Sequence, residues 1–468
     1  MELLRPSTTI ESSTALVVNE LDAAGAANAI RALARTLAAS PEVVVTAQKP
    51  SEFPVPADAA SRFDRVVCCA PCSRDGLVRQ LPELWRTWRP SEAFGFHASQ
   101  LHVLTQALEL VKVGGRVVYS TRSLNPVEDE AVVAEVLRRH LDDGALQLVD
   151  VADVCPDLHR VQGKAEWQVV DDEMKPVESW EAASDAQKKT LRPTMWAPST
   201  TERQQMHLER CFRLLPHQND THGLFVAVIE KVREPVAPLA AGPAIPSSST
   251  AATKASKKQR KAERKHLGSY APMTAARWDQ VQAFLGLPAE QHDWFLERSG
   301  VASDSKSVHF VTPGVANLID RVYAGRLSIH RAGIEALRPS TTAFGGSELT
   351  DDGARALLPS LSRRVLNLEM DEFSTLLSTK QMWLKQASEG VREALEAMSE
   401  GALVIALDDM EPAQTGDRDL VLVAHKRHNS YSLASTPAAI ARVKALLAEL
   451  NVGEEDDDGY DSFEFEED

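Results

Sequence analysis

Arg62-Phe63-Asp64-Arg65-Val66-Val67-Cys68-Cys69-Ala70-Pro71-Cys72-Ser73-Arg74-Asp75-Gly76 is the stretch from which the fold is read. Its companion is Gly114-Gly115-Arg116-Val117-Val118-Tyr119-Ser120-Thr121-Arg122-Ser123-Leu124-Asn125-Pro126. In the first, Val66 to Ala70 is a short β-branched run closed by a Pro-Cys turn, which reads as a buried strand. In the second, Gly114-Gly115 breaks an amphipathic stretch that starts near Glu92, and Arg116 to Ser120 reads as the next strand. Upstream, Thr14 to Val18 and Val43 to Thr46 are further strands, separated by an Ala-rich helical segment from Ala23 to Ala39. Downstream, Glu128 to His140 is helical, with acids leading and bases trailing as the helix dipole prefers, and Leu224 to Ile229 is a last strand. Alternating strands and helices predict an α/β sheet with parallel members and helices on both faces.

The 468 residues carry a net charge of −16. Ten acids of that excess sit in the tail Glu454 to Asp468, leaving the body near −6, so overall charge neither requires nor excludes nucleic acid. Five cysteines, with Cys68, Cys69 and Cys72 grouped, do not form a secreted disulfide framework, and the chain reads as intracellular. No apolar run approaches the length of a membrane span, and the first residues lack a signal-peptide pattern. Residues 233–269 shift to Pro, Ala and Ser and then to a basic cluster of Lys254, Lys257, Lys258, Arg260, Lys261, Arg264 and Lys265, which reads as a linker. Residues 270–452 mix helical segments (Trp278 to Gly286, Val315 to Ala324, Ala438 to Leu450) with short strands (Val365 to Leu368, Ala402 to Ala406, Leu420 to Ala424), an α+β pattern. Residues 453–468 read as an acidic disordered tail.

Two more stretches complete a pattern: Leu191-Arg192-Pro193-Thr194-Met195, and His207-Leu208-Glu209-Arg210-Cys211-Phe212-Arg213-Leu214-Leu215-Pro216-His217 leading to Gly223. The four stretches, with Glu128-Asp129-Glu130, resemble the Nop/Sun RNA cytosine-5 methyltransferases, in particular their eukaryotic tRNA-modifying branch. The resemblance implies a Rossmann-like methyltransferase domain over 1–232 and, more weakly, a PUA-like RNA-assisting domain over 270–452. In that family a cysteine thiolate adds to carbon 6 of cytosine. Carbon 5 then takes the methyl group of S-adenosylmethionine, and a second cysteine assists release.

This chain departs from the family at the positions that serve the reaction. Cys72 matches the release cysteine. Cys69 stands where the base-binding aspartate is expected. Arg122 stands at the nucleophile position, and a guanidinium cannot attack carbon 6. Among the cofactor-binding positions, Glu20 matches the acidic ribose ligand, whereas Lys49 replaces an aspartate near the adenine. The glycine-rich cofactor loop and the central first strand have no counterpart. Either the sequence is a truncated gene product or another segment fills that slot; otherwise two strand edges are left bare.

These departures predict an RNA-binding, catalytically inactive member. Its partners would be structured RNA, above all tRNA, or an active relative with which it pairs. One alternative is an active S-adenosylmethionine-dependent tRNA methyltransferase, incomplete in sequence, that uses Cys72. Another is a protein-interaction scaffold. Other choices stay open on the residues alone. Arg122 could grip a phosphate or an acidic partner, or be a drifted side chain paired to a nearby acid. Trp85 and Trp88 could stack on bases or pack a helix face. Arg192, Arg210 and Arg213 are read as outer-surface RNA contacts, and His207 to His217 as a helix capped by Pro216. Cys68 reads as a core residue, Asp75-Gly76 as a turn, and the acids 128–130 as scaffold. No metal site is expected, because no second ligand pair accompanies the cysteines. The basic cluster and the resemblance point to the nucleus or nucleolus, with the cytoplasm as alternative.

Overall fold

The computed structural model describes residues 13–36, 40–236, 239, 269–299, 306–340, 347–407 and 420–453. The basic cluster 254–265 and the acidic tail lie outside them. The chain groups into two compact units, Met1–Gln48 with Lys254–Asp468, and Lys49–Thr253.

In the first unit, strand β1 (Leu16–Glu20), helix α1 (Ala23–Thr36) and strand β2 (Val43–Ala47) form a β-α-β element. Its strands run parallel, with Leu16 opposite Val43 and Glu20 opposite Ala47. The free side of β2 is closed by Ile329–Ala332 in antiparallel pairing. The contact grouping thus places residues 1–48 apart from 49–232, which the sequence reading takes as one domain. A strand with open hydrogen-bonding groups takes whatever strand is in reach, and here that strand comes from the second half of the chain.

The unit Lys49–Thr253 carries strand β3 (Phe63–Cys69), helices α2 (Leu84–Thr87) and α3 (Pro90–Leu110), strand β4 (Val111–Thr121) and helix α4 (Glu130–Arg138). Then come the short strands β5 (Leu146–Leu148), β6 (Val161–Gln162), β7 (Val169–Val170) and β8 (Pro176–Val177), helix α5 (Thr200–Met206), strand β9 (Phe212–Leu214), helix α6 (Pro216–Asn219) and strand β10 (Leu224–Lys231). The main sheet runs β3-β4-β10-β9-β6, with β5 also on β10. β3 and β4 are parallel, and β10 is antiparallel to β4. The sheet is thus mixed and Rossmann-like, with its antiparallel strand second from β3. β3 and β1 are each edge strands among the described residues.

Gly114-Gly115 does not separate helix from strand. α3 ends at Leu110, and β4 runs through the glycines. The pairing jumps from Phe63 opposite Val111 to Arg65 opposite Arg116. Gly114 takes the surplus at φ 77°, and a Cβ on Gly115 would lie 2.9 Å from the Asp64 carbonyl oxygen. Only glycine accommodates such a bulge at that approach.

Beyond the bulge, β4 alternates, burying Val117, Tyr119 and Thr121. β10 does the same with Phe225, Ala227 and Ile229. Leu101, Leu104 and Leu108 of α3 and Val132, Val133, Val136 and Leu137 of α4 join these residues in one core.

The described part of 269–453 is α+β. Five strands (Ser269–Pro272, Phe295–Ser299, Lys306–Phe310, Ile334–Pro339, Ser347–Leu349) form an antiparallel sheet in that order. A second, mixed sheet is built on Val365–Leu368, Gly401–Leu407, Val421–Arg427, Ser430–Leu433 and Gln381–Trp383. The helices Ala275–Leu285 and Pro437–Gly453 fall where the sequence pattern places them.

Candidate functional site

All four motif stretches converge at the carboxyl ends of β3 and β4. β3 hands over to Pro71 and Cys72, and β4 to Arg122. The two exits are tied by backbone bonds: Ala70 N donates to Ser120 O (2.9 Å) and Gly76 N to Arg122 O (3.0 Å). Gly223 N, from the fourth stretch, donates to Gly76 O (2.8 Å). Neither glycine tolerates a Cβ, since one on Gly76 would sit 2.7 Å from Gly223 O and 2.8 Å from Arg122 O.

Cys72 is buried, and its Sγ accepts the backbone N–H of Arg122 at 3.3 Å. Burial first, and the carboxylate of Glu128 second, push the thiol up to about 11. Cys68 points into the core, and burial pushes it up to about 12. Cys69 is exposed, and the Ser120 hydroxyl lies 3.6 Å from its sulfur. The guanidinium of Arg122 is exposed and meets no acceptor among the described residues, so the drifted side chain paired to a nearby acid is not what the structure shows.

Three consecutive acids underlie this arrangement, each fully buried. Glu128 accepts Ser73 N (2.8 Å), Ser73 Oγ (2.5 Å) and Gln100 Nε2 (3.1 Å), and Gln100 also donates to Pro71 O (2.9 Å). Asp129 accepts Thr121 Oγ1 (2.7 Å). Glu130 and Asp129 share the guanidinium of Arg213, the Asp129 contact being 3.2 Å. Burial holds the Glu128 and Asp129 carboxyls above the usual carboxylate range. Asp75 is also raised by burial while its Oδ1 accepts Leu124 N (3.0 Å), fixing the loop after Arg122. The third motif joins through His97, whose Nδ1 faces Val127 O (2.6 Å) and whose Nε2 faces Thr194 Oγ1 (2.8 Å). Burial lowers this histidine to about 4, so it is neutral at pH 7.

Several expectations are corrected. Arg213 is not an outer-surface residue but the buried counter-ion of Asp129 and Glu130. Arg210 donates to Leu148 O (2.9 Å), and Arg192 to Leu191 O (2.7 Å). Arg213 thus serves the fold, while Arg192 and Arg210 are half-buried. His207 to His217 is not one helix: His207 turns at φ 56°, Phe212–Leu214 is a strand on β10, and Pro216 begins rather than caps a helix. The acids 128–130 do act as the expected scaffold, holding the two loops together.

Of the remaining site residues, Glu20 ends β1 in the other unit. Lys49 is half-exposed and paired to Glu52 (2.9 Å). In the unit that holds Cys72, the positions assigned to cofactor or base therefore offer an ammonium already paired and an exposed thiol. Neither fits the hydroxyl-binding or sulfonium-stabilising acceptor that S-adenosylmethionine requires. Among the described residues, no cluster of three His, Cys, Asp or Glu side chains is arranged for a metal. No helix there is long and apolar enough to cross a membrane.

Sequence reasoning missed Ser73, His97 and Gln100. The signal for the last two was two polar residues on the buried face of an otherwise apolar helix, a placement that demands hydrogen-bond partners.

The Rossmann-like mixed sheet thus sets a Pro-Cys loop at the end of one strand against a Ser-Leu-Asn-Pro loop at the end of the next. Residues 15–163 match the model of the 16S rRNA methyltransferase RsmB/F. The chain is 44% identical over 170 residues to the multisite-specific tRNA:(cytosine-C(5))-methyltransferase trm4b of Schizosaccharomyces pombe, covering 36% of this chain and 24% of that protein. It is 36% identical over 203 residues to the tRNA (cytosine(34)-C(5))-methyltransferase of Drosophila melanogaster, covering 42% and 27%. The chain spans about a quarter of the length of these relatives. Among solved structures it is similar to NSun6 from Pyrococcus horikoshii with SFG, at a TM-score of 0.30 and 16% identity over 47% of this chain and 42% of that one.

Proposed function

We propose that this chain is an RNA-binding member of the tRNA cytosine-5 methyltransferase family that does not itself transfer methyl groups. The observation that carries this reading is the residue facing Cys72. Where the resemblance calls for a thiol nucleophile, the loop presents Arg122, whose backbone holds the Cys72 sulfur and whose side chain points to solvent.

The alternative nucleophile, Cys72, is disfavoured on energetic grounds. A thiol held near 11 is thiolate in only about one molecule in 10⁴ at pH 7. That scarcity slows attack, offset only in part by the greater nucleophilicity of a more basic thiolate. The function left to this geometry is binding. We read residues 270–452 as the assisting RNA-binding domain and the basic cluster as a nuclear address, the latter tested by imaging a fluorescent fusion with and without residues 254–265.

The test of the binding reading is retention of unmodified tRNA on the purified chain across a salt series. Affinity falling steeply and log-linearly with salt is expected. Absence of any salt-sensitive retention by folded protein overturns the reading.

A further inference from the structure

The arginines of this region divide into two groups. Arg213 is buried between two carboxylates, and Arg79 is committed to Asp220 (2.8 Å) and to Pro216 O (2.9 Å). Arg74, Arg86, Arg89 and Arg122 are exposed, and none meets an acceptor among the described residues. The exposed acids of the same stretch are Glu83 and Glu92, so arginine prevails.

The backbones of two of these arginines flank Cys72. Arg122 donates its backbone N–H to the Cys72 sulfur (3.3 Å) and accepts Gly76 N (3.0 Å). Arg74 lies two residues after Cys72 and two before Gly76. It occupies the left-handed region at φ 65°, a conformation that disfavours any side chain and costs arginine roughly 1–2 kcal/mol. Two exposed arginines with no acceptor among the described residues, held near one loop by their backbones, leave their guanidinium groups free to take an anion. Further along the same segment, α2 buries Leu84, half-buries Trp88 and leaves Trp85 76% exposed. A solvent-facing indole next to Arg86 in sequence offers a stacking surface with no aromatic partner among the described residues.

We propose that Arg74 and Arg122, with Trp85, form a binding site for single-stranded RNA, the guanidinium groups taking backbone phosphates and the indole taking one unpaired base. The indole favours nucleic acid over an acidic peptide, because a carboxylate-rich chain has no flat π-face to lay on it. This inference rests on the RNA-binding reading and specifies it. The position that carries base chemistry in the family is turned here into a phosphate grip, so RNA is held without reaction.

The test is fluorescence anisotropy with a labelled ten-nucleotide single-stranded RNA, the same sequence as a duplex, and unmodified tRNA. Arg74→Gly removes the guanidinium while relieving the left-handed strain, so it folds at least as well as the parent. It and Arg122→Ser are each expected to reduce the slope of log affinity against log salt by about 0.7. Trp85→Ala is expected to weaken single-strand binding about 5- to 150-fold, Trp85→Phe to restore most of it, and the parent's tryptophan fluorescence to be quenched by the oligonucleotide. Variants that bind the single strand as the parent does, or a parent that prefers the duplex, overturn this site while leaving RNA binding standing. A parent that binds a synthetic Glu454–Asp468 peptide and neither RNA overturns both.

Discussion

Arg213→Met removes the one cation that Asp129 and Glu130 share. The arginine side chain is 4% exposed and both carboxylates 0%, so the variant leaves two acids buried with no counter-charge. Breaking a buried pair in this way costs about 3–5 kcal/mol. For a unit of this size each kcal/mol lowers the melting midpoint by about 2–4 °C, so a fall of about 6–20 °C is expected. The pH dependence has a definite sign. Burial already holds the Asp129 carboxyl well above its ordinary value, against the pull of Arg213, and loss of the arginine raises it further. The folded variant then binds a proton more tightly than the unfolded chain, so falling pH stabilises it. The deficit relative to the parent is therefore expected to shrink between pH 8 and pH 5.5. Far-UV circular dichroism melts at both pH values read this directly. A midpoint within about 2 °C of the parent, or a deficit that grows toward acid, would refute the account of the buried network.

The cysteines give a second test: iodoacetamide at pH 8 followed by peptide mass spectrometry is expected to label Cys69 and Cys155 and to spare Cys68, Cys72 and Cys211, with Cys72 reacting only as pH approaches 11. Early labelling of Cys72 would restore it as a candidate nucleophile. Gly76→Ala, meeting backbone at 2.7 and 2.8 Å, is expected to destabilise by about 2 kcal/mol or more, whereas Gly95→Ala, with nothing within 4 Å in mid-helix, is expected to stabilise by about 0.5–1 kcal/mol. Glu128→Ala leaves the buried Ser73 N–H and hydroxyl unpaired, costing about 1–3 kcal/mol, and hydrogen exchange over 71–75 is expected to quicken. Unchanged exchange there would show that Glu128 does not hold the loop.

The strands were legible because apolar β-branched runs report burial locally: Val43 to Thr46 and Val365 to Leu368 lie in strands, and Val66 to Ala70 overruns the end of β3 by one residue. Glycine pairs were misleading, since Gly114-Gly115 signals a break by composition but serves as a bulge within β4. The role of Arg213 was not legible at all. Its partner Glu130 lies 83 residues away, and no local period reports such a distance. His207 to His217 failed for a related reason: pairing with β10 overrides a helical-looking run. At the site, the substitutions Arg122, Cys69 and Lys49 were readable residue by residue. Which of them is free, buried or paired was not, because each depends on contacts from a different element.

The most direct test of the central claim is methyl transfer measured on RNA-loaded protein. Unmodified tRNA is bound to the folded chain, labelled S-adenosylmethionine is added, and label in 5-methylcytosine is counted against tRNA retained. Full retention with no label in 5-methylcytosine is the expected result. Label accumulating in 5-methylcytosine, and lost in Cys72→Ala, would contradict it and make the chain an enzyme.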